Sequence, residues 1–156
     1  METFSTVCRP ETYTILLIIA VNKGWLIYSY DVKNAFLHSE IDYEIYMKLP
    51  SYLYRDPKYK NKVAKLKKAI YGLKQAPLLW YKYLSGVLKN AGFIVCPYDE
   101  GVFIHPEFQI TFICHVDDII VLGPDKSEID FIINKLSKHI NLDFQGELTS
   151  FLGNDI

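Results

Sequence analysis

Cysteine is scarce. Cys8, Cys96 and Cys114 stand far apart in 156 residues, without the paired spacings of a zinc site or a disulfide scaffold, so a reducing intracellular compartment is the simpler reading. Long apolar runs are missing too. The longest in the N-terminal third, Ile15 to Val21, falls short of the roughly 20 residues that cross a bilayer. It also lacks the basic flank and small-residue cleavage site of a signal peptide, so no membrane association is expected. Net charge is almost absent at −1, which argues against a basic coat over the whole surface. Repeats and low-complexity tracts are absent, and half the residues are apolar with 15% aromatic, which excludes disorder and collagen. A chain of this length is expected to fold as one domain with its own core.

The charge that is present is unevenly placed. Between Pro57 and Tyr98 lie nine lysines and no acid, interleaved with Tyr59, Tyr71, Tyr81 and Tyr83. A solvated lysine face explains this run; so does a surface that meets a phosphate backbone with cations and exposed bases with rings. Both readings stand at this point.

Patterning supplies the elements. Glu11 to Lys23 reads as a buried helix with Thr12 as a candidate N-cap, and Trp25 to Tyr30 as a strand running into Asp31. Leu37 to Pro50 reads as irregular or hairpin structure, and Val63 to Leu66 as a short strand. Pro77 suits a first helical turn, and Trp80, Leu84, Val87, Leu88 and Ala91 form one stripe before Gly92. Val102 to His105 reads as a strand. Ile110 to Cys114 and Ile119 to Leu122 are apolar runs on either side of His115-Val-Asp-Asp118, as in a hairpin with carboxylates at its turn. Asp125 and Glu128 suit the start of a second amphipathic helix carrying Ile129, Ile132, Ile133, Leu136 and Ile140. A terminal strand pair, Leu142 to Phe144 and Leu148 to Leu152, would turn at Gln145-Gly-Glu147. The order predicts an α+β fold: a ferredoxin-like split βαβ antiparallel sheet with two helices on one face.

Adjacent carboxylates flanked by Ile113 and Ile119-Ile-Val121 are costly, because apolar strands strip hydration from charges that also repel each other. Exposure at a hairpin tip solves this; so does a hard cation. Asp31 emerges from a separate apolar strand, and three acids converging at one sheet edge would suit magnesium or manganese in two-metal phosphoryl transfer.

The motifs resemble a known family. Asp31-Val-Lys-Asn-Ala-Phe-Leu37, Glu44-Ile-Tyr-Met47, Leu66-Lys-Lys-Ala-Ile-Tyr-Gly-Leu-Lys-Gln-Ala-Pro77 with Trp80-Tyr81, Val116-Asp-Asp118, and Gly146-Glu-Leu148 with Phe151-Leu-Gly153 are similar, in order and over nearly the whole chain, to copia-type retrotransposon reverse transcriptases. Glu2-Thr-Phe4 resembles the segment entering that region. The resemblance implies the palm and part of the fingers of an RNA-directed DNA polymerase over residues 1–156, a truncated domain without thumb or RNase H. It implies two Mg²⁺ (or Mn²⁺) ions on Asp31, Asp117 and Asp118, beside the carbonyl of Val32. Phe36 would be the aromatic gate that excludes a ribose 2′-hydroxyl, and Gln75 would touch template and incoming nucleotide. His115, Phe151, Leu152 and Gly153 would meet the primer, and Lys65, Lys67, Lys68 and Lys74 the nucleic-acid backbone.

Expected partners are an RNA or DNA template, a DNA primer, a deoxynucleoside triphosphate and the rest of a retrotransposon polyprotein, in the cytoplasm, a virus-like particle or the nucleus. Weak or no activity is expected of this chain alone. Two departures stand out. His115 replaces the usual tyrosine, and Leu142-Asp-Phe-Gln145 lacks the lysine that would protonate pyrophosphate. The alternatives are a catalytically inactive retrotransposon remnant or nucleic-acid-binding module, and a small RNA-binding domain unrelated to polymerases.

Overall fold

The protein is described from a computed structural model that covers residues 7–148 and the backbone of 150–151 and 154–155. In chain order its elements are α1 (Pro10–Asn22), β1 (Leu26–Val32), β2 (Tyr46–Lys48), β3 (Val63–Lys65), α2 (Ala76–Ala91), β4 (Ile94–Cys96), β5 (Asp99–His105), β6 (Ile110–His115), β7 (Asp118–Gly123), α3 (Lys126–Leu136), β8 (Leu142–Glu147), β9 (Ser150–Phe151) and β10 (Asn154–Asp155). Six strands form one antiparallel sheet in the order β4-β5-β6-β7-β1-β8. The small ladders β2–β3 and β9–β10 lie outside it.

The helix signals in the sequence describe α2 and α3 well. Pro77 sits in the first turn of α2, and Gly92, at φ 108°, ends it where a left-handed residue is needed. The Asp125 carboxylate accepts from the amides of Ser127 (2.8 Å) and Glu128 (3.1 Å) and so caps α3.

Both helices pack on one face of the sheet, against Tyr28, Tyr30, Val32, Phe112, Cys114, Ile119 and Val121. The expectation that helices cover one face alone is corrected by α1. Tyr13, Leu17 and Ala20 of α1 close the opposite face over Val102, Ile113, Ile120 and Leu122. Strands β6 and β7 are apolar on both sides, so each side needs a cover; this is why they read as unbroken apolar runs. Nor is α1 buried throughout: Ile15, Ile18 and Val21 are more than half exposed on its outer side. It begins at Pro10 with Arg9 as N-cap, one turn earlier than Thr12 suggested.

The segment entering α1 is fixed to the sheet. The Cys8 amide donates to the Cys114 carbonyl (3.2 Å), and buried Asp99 accepts from the amides of Arg9 and Gly101 (both 3.0 Å). At Gly101 the two backbones touch: a Cβ would lie 2.3 Å from the Cys8 nitrogen and 2.6 Å from its Cα. Gly101→Ala is therefore expected to push this segment off the sheet at a cost of about 1–3 kcal/mol. An unchanged urea midpoint would contradict that approach.

The predicted turn at 145–147 is not a turn. β8 runs straight through it, with Tyr30 opposite Phe144 and Ser29 opposite Gly146, which leaves Gln145 as the extra residue of a bulge. Gly146 takes φ 109° there, so the glycine marks an edge-strand bulge, for which turn chemistry and bulge chemistry are alike.

Candidate functional site

The sheet delivers the acidic residues to one edge. β1 ends in Asp31 and Val32, and β6 and β7 are joined by the two-residue turn Val116-Asp117, closed by His115 opposite Asp118. In the β1–β7 ladder Asp31 lies directly opposite Asp118, so the two side chains leave the sheet on the same face. That face is the one away from α2 and α3, because Tyr30, Val32 and Ile119, the residues alternating with them, fill the core beneath those helices. The Val32 amide donates to the Asp117 carbonyl (2.8 Å), tying the end of β1 to the turn.

The turn is strained and supported from below. Val116 has φ 57°, a left-handed conformation that a β-branched residue avoids. Its carbonyl accepts from the indole Nε1 of Trp80 (2.7 Å), a side chain 1% exposed in the second turn of α2. The helix stripe therefore does more than fill the core; it holds the carboxylate turn in place. The ring of Trp80 is in turn flanked by His38 and Tyr83, at centroid distances of 5.8 and 6.1 Å.

In the sequence Tyr71 is one of several interleaved tyrosines and a member of the Leu66–Pro77 motif, with no role of its own. Its hydroxyl donates to Oδ2 of Asp117 at 2.5 Å, and its ring packs edge-on against Phe36 with centroids 4.4 Å apart. This hydrogen bond, with partial burial and the charges of Asp117 and Asp31, pushes the Tyr71 phenol up to about 12, so it stays a donor at neutral pH. No periodicity signals such a residue: it lies in the loop before α2, 46 positions from its partner.

Burial, then the charges of Asp117 and Asp31, raise the Asp118 carboxyl above the ordinary carboxylate range, with His115 pulling the other way. An acid raised by folding contributes stability below its unfolded pKa that is lost as pH rises through the folded value. Asp118→Asn is therefore expected to raise the melting temperature at neutral pH, and the gain should vanish as pH falls through the carboxylate range. A gain that persists in acid would point to packing instead of charge.

Among the described residues, no three His, Cys, Asp or Glu side chains form a ready-made metal cage. The donor set still suits a hard cation. Magnesium is commonly held by one or two carboxylates with water and substrate phosphates completing its shell, and here Asp31 and Asp118 face each other and repel. One oxygen of Asp117 is engaged by Tyr71.

The remaining candidates are distributed as follows. Phe36 is 5% exposed in the core below Tyr71. Gln75 is the N-cap residue of α2, without a side-chain capping bond. Leu152, Gly153 and the side chain of Phe151 lie outside the described residues. Of the four lysines expected to meet the nucleic-acid backbone, all exposed, Lys65 is paired with Glu44 and Lys68 with Glu40 (3.8 Å). A cation does stand at the Asp31 edge. Lys33 pairs with Asp143 (3.1 Å), which lies opposite Asp31 on β8, within the stretch where the expected lysine is missing.

Among the described residues, no helix is long and apolar enough to cross a membrane. The three cysteines are free; burial pushes Cys8 up to about 12 and Cys114 further still, so both are poor nucleophiles.

Comparison with known proteins gives the family. The family model described as reverse transcriptase (RNA-dependent DNA polymerase) matches residues 1–156. The chain is 36% identical over 154 residues to the retrovirus-related Pol polyprotein from transposon RE1 of Arabidopsis thaliana, covering 97% of this chain and 10% of that protein. It is 33% identical over 155 residues to the retrovirus-related Pol polyprotein from transposon TNT 1-94 of Nicotiana tabacum, covering 97% of this chain and 12% of that protein. It is also 35% identical over 130 residues to the putative transposon Ty5-1 protein YCL074W of Saccharomyces cerevisiae, covering 81% and 41%. The chain thus spans about a tenth of the length of the plant polyproteins it matches. With the family model matched from end to end, the chain belongs to the reverse transcriptase domains of copia-type retrotransposon Pol polyproteins.

Proposed function

We propose that this chain is the palm, with part of the fingers, of an RNA-directed DNA polymerase that works within a longer polyprotein. The observation that carries this reading is Asp31 directly opposite Asp118, with Asp117 beside them in a turn held by Tyr71 and Trp80. Two magnesium or manganese ions held by Asp31, Asp117, Asp118 and the Val32 carbonyl would neutralise phosphate charge and favour ionisation of the primer 3′-hydroxyl.

The chain's own residues position the reactants. Asp31 and Asp118, at the strand ends on the face away from α2 and α3, receive the reacting groups from outside the core. Trp80 fixes the height of the turn through Val116, and Tyr71 fixes the orientation of the Asp117 carboxylate. Phe36, packed beneath Tyr71, has no freedom to withdraw from a sugar lying on it, and so favours deoxynucleotides by bulk. Gln75 and Lys74 border the approach at the start of α2, on the template side. His115, opposite Asp118, would meet the primer end, a role that Phe151, Leu152 and Gly153 share by resemblance alone. The attacking hydroxyl displaces pyrophosphate from the α-phosphate, and the ammonium of Lys33 supplies a positive charge for the leaving group.

Extension of a DNA primer on an RNA template by the chain joined to the rest of its polyprotein, dependent on Mg²⁺ or Mn²⁺ and stopped by a chelator, is the direct test. Tight RNA binding without any extension would favour a non-catalytic binding module.

A further inference from the structure

A concentrated positive surface lies apart from the lysines that the motifs single out. Between β2 and β3 the chain makes two short 3₁₀ turns, Ser51–Arg55 and Pro57–Tyr59, that arch over a cavity of about 790 Å³. Lys48, Arg55, Lys60 and Lys62 line it, and no acid does. All four are exposed, and the ion pairs of the described residues involve Lys33, Lys65, Lys68 and Lys126 instead. The acid nearest in sequence, Asp56, turns its carboxylate to the Lys58 amide (2.9 Å).

The hollow is a fixed feature of the hairpin. The Tyr54 hydroxyl accepts from the Leu49 amide (3.2 Å) and donates to the Lys62 carbonyl (3.3 Å), clasping the ends of the two strands across the loop. Four cations held together without counter-charges repel one another, and an anion brought among them removes that repulsion. The cavity volume lies within the range of about 300–1,000 Å³ usual for ligand sites and exceeds what one phosphate fills. Tyr52 and Tyr46, each more than half exposed, offer rings at the same hairpin. Cations in a concavity with rings beside it suit a flexible chain that can bend inward, with phosphates on the cations and bases on the rings. A rigid duplex, convex and with stacked bases, fits it poorly.

We propose that this hollow, built by Lys48, Arg55, Lys60 and Lys62 around Tyr54, binds the sugar-phosphate backbone of a single-stranded nucleic acid, using residues separate from the Asp31 edge. The proposal deepens the polymerase reading and rests on it for the choice of nucleic acid over other polyanions.

The test is fluorescence anisotropy of a labelled single-stranded RNA oligonucleotide bound to the full chain, from about 50 to 200 mM salt. Each phosphate contact on a single strand contributes roughly 0.7 to the slope of log affinity against log salt. K48Q/R55Q/K60Q/K62Q is therefore expected to lower the slope by about 2.8. K23Q/K126Q/K135Q/K138Q, with the same change of net charge on and beside α1 and α3, should lower it by less than half as much. All eight side chains lie at the surface, and near-ultraviolet circular dichroism confirms that both variants are folded.

Equal losses in the two variants, or none in the first, would overturn the site. Displacement of the RNA by polyglutamate at equal charge concentration would overturn its assignment to nucleic acid. Asp117→Asn, assayed in parallel, separates the two readings. Extension that survives this substitution refutes the polymerase mechanism and leaves the binding result intact. Extension that is lost, beside an unmoved salt slope, refutes the hollow alone.

Discussion

Asp31→Asn is expected to lower primer extension about a thousandfold, the equivalent of ~4 kcal/mol of transition-state stabilisation, while leaving the protein folded. Asparagine matches aspartate in shape, so the β1–β7 ladder survives; what disappears is the charge facing Asp118. Manganese affinity, followed by electron paramagnetic resonance, should fall together with activity. A second consequence is independent of catalysis: without the Asp31 charge, the Asp118 carboxyl should titrate closer to its ordinary range, because Asp31 is one of the charges that raise it. Tyr71→Phe gives the graded contrast. It removes the hydrogen bond to Asp117 but no ligand, and a loss of only 10- to 100-fold is expected, as for other residues that orient a ligand. Unchanged manganese binding in Asp31→Asn would remove the metal-site reading, however slow the variant proved.

Trp80→Ala carries the largest expected loss of stability, about 3–5 kcal/mol, enough to unfold much of a domain whose total stability is typically ~5–15 kcal/mol. The indole is among the largest fully buried side chains and packs within the core shared by α2, α3 and the sheet. Trp80→Phe separates packing from hydrogen bonding. Phenylalanine keeps most of the ring but leaves the Val116 carbonyl without its donor, at a cost of about 1–3 kcal/mol. Because Val116 holds the carboxylate turn in a left-handed conformation, the Phe variant should lose more activity than its stability explains. Urea unfolding beside extension rates measures both. A Trp80→Phe enzyme with normal kcat would mean that the turn keeps its shape unaided.

What the sequence revealed depended on whether the signal was local. α3 announces itself through Asp125, whose side chain caps the helix that follows, and α2 through a single apolar stripe closed by Gly92. The acidic turn was legible because apolar runs on both sides leave Val116-Asp117 little but a tight hairpin. Pairing Asp31 with Asp118 required the strand order, which family resemblance implied and local patterning could not. α1 misled because isoleucine and leucine occur all round it, so nothing distinguished its inner side, Tyr13, Leu17 and Ala20, from its outer one. Gly146 misled because left-handed glycine serves turns and bulges equally. The lysine run averages two situations. Lys65 and Lys68 are matched by Glu44 and Glu40 from an earlier loop, whereas Lys48 and Arg55, outside the run, complete the uncompensated group.

The outer side of α1 determines how the chain behaves in the tube. Ile15, Ile18 and Val21 meet water along one ridge, and purified material at assay concentration will tend to stick to itself and to surfaces through them. These positions face away from Tyr13, Leu17 and Ala20, which makes them the places to write in solubility: glutamate or lysine at 15 and 18 would hydrate the ridge and leave the inner packing untouched. A repainted protein of this kind would also be the better starting material for crystals, since its lattice would be built from polar contacts of choice.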